Sequence, residues 1–284
     1  MTKKQSIKEL NILDDFMFNE LAMQKDQEKA KRFFGIVLET ILHKNVKVLR
    51  IVPQKIVQGR DPKHHGIRPD SYVEAFVWDG EDGNEDTDGE SLTSTVMMTY
   101  SEIFDIEPNT YEADNEERRM RYYQALIDTK ILLTGADYKK LKKVTLIMIS
   151  NYDPFGCGRM VYTISKKVEE EPGYRYDDGV RIIYLFTGGK GDAQDEELAE
   201  LLNFMADSRK ENAVSSRLKE IYGMMTEIKN DSERGIRYMK SLEIEEMRYR
   251  QGKEEGIKEG IKEGIKEGIE RGIVQTLASL VKEN

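Results

Sequence analysis

The chain has 284 residues, of which 38% are hydrophobic and 34% charged, with a formal net charge of −9. That length suits one large domain, or one domain with an appendage. A single cysteine, Cys157, excludes an intrachain disulfide, and the net acidity argues against nucleic-acid binding by bulk charge, because phosphate affinity comes from Lys and Arg.

The opening segment, Met1 to Ser6, leads into no apolar core of a signal peptide, so secretion is not expected. The longest apolar run, Val144 to Ile149, is far too short to span a bilayer. A cytoplasmic protein with no membrane partner is expected, and a lone cysteine fits a reducing compartment.

Residues 13–43 read as a helix that Asp14 or Asp15 can cap, with Phe16, Leu21, Phe33, Phe34, Val37, Leu38 and Ile41 at helical spacings. A strand is expected over 46–58, with an edge or a bulge at Pro53. A second strand covers 69–78, where Tyr72, Phe76, Val77 and Trp78 favour the pleated conformation. Residues 80–93 are rich in Gly, Asp, Glu and Asn and read as a loop between antiparallel strands. The next strand is expected over 95–107, and a helix over 114–134 with Gly135 as the glycine that ends it. Val144–Ser150 is unbroken apolar strand, and shorter strands follow near 158–167 and 180–186.

From Asp195 onward the pattern is helical. Leu198, Leu201, Leu202 and Met205 form one stripe, and Leu218, Ile221, Met224, Met225 and Ile228 another. The tail is an internal repeat: Gly-Ile-Lys-Glu recurs at Gly256, Gly260 and Gly264, with Gly252, Gly268 and Gly272 in phase. A step of four residues drifts about 40° around a helix, so Ile257, Ile261, Ile265, Ile269 and Ile273 form a slowly winding stripe. Each interior glycine costs a helix about 1 kcal/mol relative to alanine. Two readings stand for this tail: a solvated charged helix, or a helix that docks a partner or a second copy. The fold class is α/β, α+β by a strict count, with a mixed sheet flanked by helices and a helical C-terminal region.

The charge is unevenly spread. Residues 79–90 hold seven acids and no base, against Arg118, Arg119, Arg121, Lys139, Lys140, Lys142 and Lys143, so a local basic face is expected. Asp70 stands at the start of the second strand and Glu107 at the end of the third. Adjacent strands that aim carboxylates at one point offer hard oxygen ligands to Mg²⁺ or Mn²⁺. Spacing alone does not distinguish that site from solvated strand-end acids.

Asp70, Phe104-Asp105-Ile106-Glu107-Pro108-Asn109, Arg118-Arg119-Met120-Arg121-Tyr122-Tyr123, Leu133 to Tyr138 and Asn151-Tyr152-Asp153-Pro154-Phe155 occur in one order over about residues 10 to 190. In this the chain resembles the PD-(D/E)XK nuclease family transposases, or Rpn-type recombination-promoting nucleases. The Glu-Gly repeats of the tail resemble C-terminal extensions of that family. The resemblance implies a restriction-endonuclease-like core and Mg²⁺-dependent cleavage of DNA, linked to mobile elements, recombination or defence. It implies a nuclease domain over 1–190, a helical region over 191–250 and the repeat tail over 251–284. Asp70 and Glu107 would bind metal. Asn109 would fill the place of the usual lysine, often glutamine in the family, and without a cationic group it would orient water by hydrogen bonds.

Arg118 and Arg121 share a helix face and are candidate DNA contacts, or partners of Glu116, Glu117 or the 79–90 loop. His64-His65 reads as polar loop, and Asp82 to Thr93 lacks the glycine and the final glutamate of a calcium loop. Gly188-Gly189-Lys190-Gly191 is no P-loop, because no Ser or Thr follows the lysine. Two functions compete on sequence: a Mg²⁺-dependent DNA endonuclease, and a catalytically silent nuclease fold that binds DNA or forms a homo-oligomer through the C-terminal helices.

Overall fold

A computed structural model describes residues 6–53, 71–79, 100–112, 115–132, 135–174, 176–191 and 195–282. The expected site residue Asp70, the loop 80–93 and His64-His65 lie outside the described residues. The chain divides into two compact units, Met1–Asn230 and Asp231–Asn284. The division falls inside the span expected as a helical region, 191–250.

The first unit is a mixed α/β fold. Two short helices, α1 (Asp15–Ala22) and α2 (Gln27–Leu42), lead into β1 (Asn45–Pro53), β2 (Ser71–Trp78) and β3 (Glu102–Asn109). The helix expected over 13–43 is therefore broken in two. The break comes at Asp26, whose carboxylate accepts a hydrogen bond from Glu28 N at 3.0 Å and so starts a new helix. Asp14 occupies the N-cap position of α1 but does not cap it. Its carboxylate turns back to accept from Asn11 N at 2.6 Å.

After β3 come α3 (Glu116–Ile131), β4 (Val144–Ser150), β5 (Val161–Ile164) and β6 (Val180–Phe186). α3 stops short of Gly135. Ile131 is its last residue packed on the sheet side, and Leu132 leaves the helix in an extended conformation. The helices α4 (Glu196–Ala206) and α5 (Ser216–Asn230) complete the unit, and both expected apolar stripes are buried.

The sheet order is β1-β2-β3-β4-β6-β5. The first three strands form an antiparallel meander. β4 is parallel to β3, reached through α3, and β6 is parallel to β4. β5 pairs antiparallel with β6 at the far edge. β1 is an edge strand, as Pro53 requires, but its bulge falls between Val48 and Arg50 rather than at the proline.

Alternation along the strands divides the core in two. Ile103, Val144, Leu146, Met148 and Tyr184 pack with Met120 and Ile127 of α3. On the other face, Val73, Ala75, Phe104, Ile106, Ile147 and Leu185 are fully buried. Phe18 of α1 meets Phe33 and Phe34 of α2 edge to face, with ring centroids 5.7 and 5.8 Å away.

The second unit is one helix, α6 (Ser232–Lys282), of 51 residues, about 75 Å long at about 1.5 Å per residue. No described helix is long and apolar enough to cross a membrane.

Phe18 is fully buried and touches both other rings. Phe18→Ala is expected to destabilise the first unit by about 3–5 kcal/mol, read as a lower urea midpoint with an unchanged slope.

Candidate active site at the C-terminal end of β3

β3 carries an unusual row for a central strand. Asp105, Glu107 and Asn109 alternate with Phe104, Ile106 and Pro108, so the three polar side chains share the face that α3 covers. All three are buried, with Asp105 fully covered and Glu107 and Asn109 only 6% and 7% exposed. Asp105 stands between Tyr72 of β2 and Leu146 of β4, and Glu107 is level with Met148.

The end of the row is closed by a polar cluster. Asn109 Nδ2 donates to Glu116 Oε1 at 2.7 Å and to the Tyr152 hydroxyl at 2.7 Å. Its Oδ1 accepts from Tyr111 N at 3.1 Å, a turn that aspartate and asparagine favour. Tyr152 in turn donates its hydroxyl proton to Glu116.

Local sequence explains how these groups meet. Asn115 takes a left-handed conformation, φ 67°, which asparagine tolerates, and so turns the chain into α3 with Glu116 facing the sheet. After β4, Ser150 Oγ donates to Tyr152 O at 2.7 Å and fixes the turn that carries the tyrosine back. Burial and the carboxylate of Glu116 both push the Tyr152 phenol above its ordinary value. Tyr184, beneath α3, is pushed up to about 12 by burial first and then by Glu117 and Glu116.

The arginines separate. Arg118 and Arg121 are exposed on the outer side of α3 and form no ion pair with another described residue. Arg119 is the one turned inward. Its guanidinium lies 5.9 Å from the Tyr123 ring centre and favours the ionised forms of Tyr152 and Tyr184. The expected basic face is also thinner than the sequence suggests. Lys142 pairs with buried Glu74 and donates to Ser101 Oγ at 2.7 Å, and Lys143 pairs with Glu102 at 3.4 Å. Burial raises the pKa of Glu74, but the hydrogen bonds from Lys142 and Ser101 outweigh it and hold the carboxyl below its ordinary value. Cys157 is a free, exposed thiol.

Of the sequence-expected site, Glu107 and Asn109 are brought onto one face. Glu116, Arg119 and Tyr152 join them without having been assigned a site role from sequence. For Tyr152 the only sequence signal was its place in Asn151-Tyr152-Asp153-Pro154-Phe155. Among the described residues, no group of three His, Cys, Asp or Glu side chains could hold a metal ion. The row still supplies carboxylate oxygens, the donor type that Mg²⁺ and Mn²⁺ take. Comparisons of the chain with family models, curated proteins and solved structures find no match.

The Tyr152 hydroxyl serves both Asn109 and Glu116, so Tyr152→Phe is expected to cost about 1–2 kcal/mol of stability. A tyrosine whose folded pKa is raised contributes stability that is complete below its unfolded value of about 10 and lost as pH rises toward the folded one. The wild type should therefore weaken above about pH 10, and Tyr152→Phe should weaken less steeply there, as measured by urea denaturation across the alkaline range.

Proposed function

We propose that the protein is a metal-dependent endonuclease that hydrolyses DNA phosphodiester bonds. The observation that carries this reading is the buried carboxylate of Glu107 at the C-terminal end of a central strand, beside Asn109, on the face covered by the crossover helix. An antiparallel meander followed by a helical crossover to a parallel strand agrees with the restriction-endonuclease-like core that the motif resemblance implies.

Asp70 enters the proposal from sequence. Tyr72 stands opposite Asp105 in the antiparallel ladder. Asp70 and Glu107 would hold Mg²⁺ or Mn²⁺, and the ion would supply Lewis-acid polarisation of a phosphoryl oxygen and a more acidic bound water.

The protein's own contribution is placement. Glu107 is held on a strand paired with β4 from Ile103 to Asn109, so its carboxylate loses little freedom on taking a cation. Asn109 keeps the strand end in register with α3 through Glu116 and Tyr152. Arg119 brings positive charge to the same end of α3, toward an anionic substrate. Arg118 and Arg121 on the outer face suit contacts to the DNA backbone rather than to reacting atoms.

One observation favours a second reading, a nuclease fold that binds DNA without cutting. Both amide protons of Asn109 are engaged by Glu116 and Tyr152. In that arrangement Asn109 offers no N–H to an attacking water, so the role expected for it from sequence needs the cluster to open.

The two readings differ in plasmid nicking by the full chain with Mg²⁺ or Mn²⁺. The endonuclease reading expects a loss of about 100-fold or more in Asp70→Ala and Glu107→Ala. Asn109→Ala should lose less, because Asn109 acts through position. Wild-type nicking no faster than that of both carboxylate variants would leave the silent reading.

A further inference from the structure

The repeat helix presents one apolar face that its own unit leaves uncovered. Ile257, Ile261, Ile265, Ile269 and Ile273 are each 53–60% exposed along α6. Set on a helical wheel at about 100° per residue, the glycine row adjoins the isoleucine row, and the two wind together by about 40° per unit. Glutamate borders the glycine edge, and lysine borders the isoleucine edge, in each of the three Gly-Ile-Lys-Glu units.

Among the described residues, nothing accounts for the glycines. A Cβ built on Gly252, Gly256, Gly260, Gly264, Gly268 or Gly272 meets nothing within 4 Å. None has a left-handed backbone that would exclude alanine. Glycine is the poorest helix former after proline, so their regular retention inside a helix calls for something that approaches the backbone from outside.

We infer that α6 pairs with the same helix of a second copy, parallel and level, with the isoleucine ridge of each lying in the glycine groove of the other. Ridge and groove both follow the four-residue rows and adjoin each other, so one surface is complementary to itself. A four-residue step exceeds the helical repeat, so the pair crosses with right-handed sense, as close glycine-mediated pairs do.

Charge selects a copy of this chain and its direction. A two-fold axis parallel to the helices brings the glutamate edge of each against the lysine edge of the other. An antiparallel pair would set glutamate against glutamate and lysine against lysine. The fourth unit reverses the signs, with Glu270 at the lysine position and Arg271 at the glutamate position. Two copies at the same level keep opposite charges facing there as well, whereas a shift by one unit sets Arg271 against Lys266. This pairing does not depend on nuclease activity.

The test is sedimentation of the full chain over a concentration range, with helicity followed by circular dichroism. The wild type should sediment at twice the chain mass. Alanine at Gly256, Gly260 and Gly264 should weaken the dimer about tenfold or more by filling the groove, while helicity holds or rises. A chain with Lys258, Lys262 and Lys266 changed to Glu, and one with Glu259, Glu263 and Glu267 changed to Lys, should each be monomeric alone and dimeric when mixed. A monomeric wild type, or glycine variants that pair as tightly as the wild type, would overturn the inference whatever else the helix binds.

Discussion

A central strand buried on both faces can carry polar side chains only if each finds a partner, because an unpaired polar group away from water is costly. β3 places Asp105, Glu107 and Asn109 in that position. The surrounding structure answers this requirement at Asn109, which bonds Glu116 and Tyr152. The left-handed turn at Asn115 aims Glu116 inward, and Ser150 holds the turn that returns Tyr152. The result is a polar seam between sheet and helix, with apolar packing by Met120, Ile127, Leu146 and Met148 on its flank.

Such a seam is an expensive way to join a helix to a sheet if packing were the only purpose, since apolar residues of similar volume would serve as well or better. That is the physical argument for function at this end of the molecule. Carboxylates held on a rigid strand, with an inward arginine close by, suit a cation and a phosphate more than they suit a core. On the proposed readings, the outer arginines would contact a DNA duplex and the repeat helix a second copy of the chain.

Much of the fold was legible in the sequence. The strand at 144–150 emerges where an unbroken apolar run places it, because burial on both faces leaves little other choice. The α4 and α5 stripes were equally plain. The division of the first helix was not, since Asp26 competes with an apolar pattern that continues across it. The end of α3 was misjudged because Gly135 is a permissive residue, and the chain had already left the helix at Leu132. At the site, Glu107 and Asn109 could be found from a local motif. Glu116 and Tyr152 reach Asn109 from 7 and 43 residues away in sequence, and only the pairing of β3 with β4 brings the distant tyrosine there. Lys142 looked like surface charge in a run of lysines, yet its partner Glu74 lies 68 residues back on β2.

The central claim is that Glu107 is a metal carboxylate rather than a buried structural acid. Calorimetric titration of the full chain with Mn²⁺ tests it without depending on turnover. The account predicts saturable binding by the wild type that Glu107→Gln abolishes while the far-ultraviolet circular dichroism spectrum is retained. Binding of equal strength in the folded Glu107→Gln variant, or none in the wild type, would contradict it.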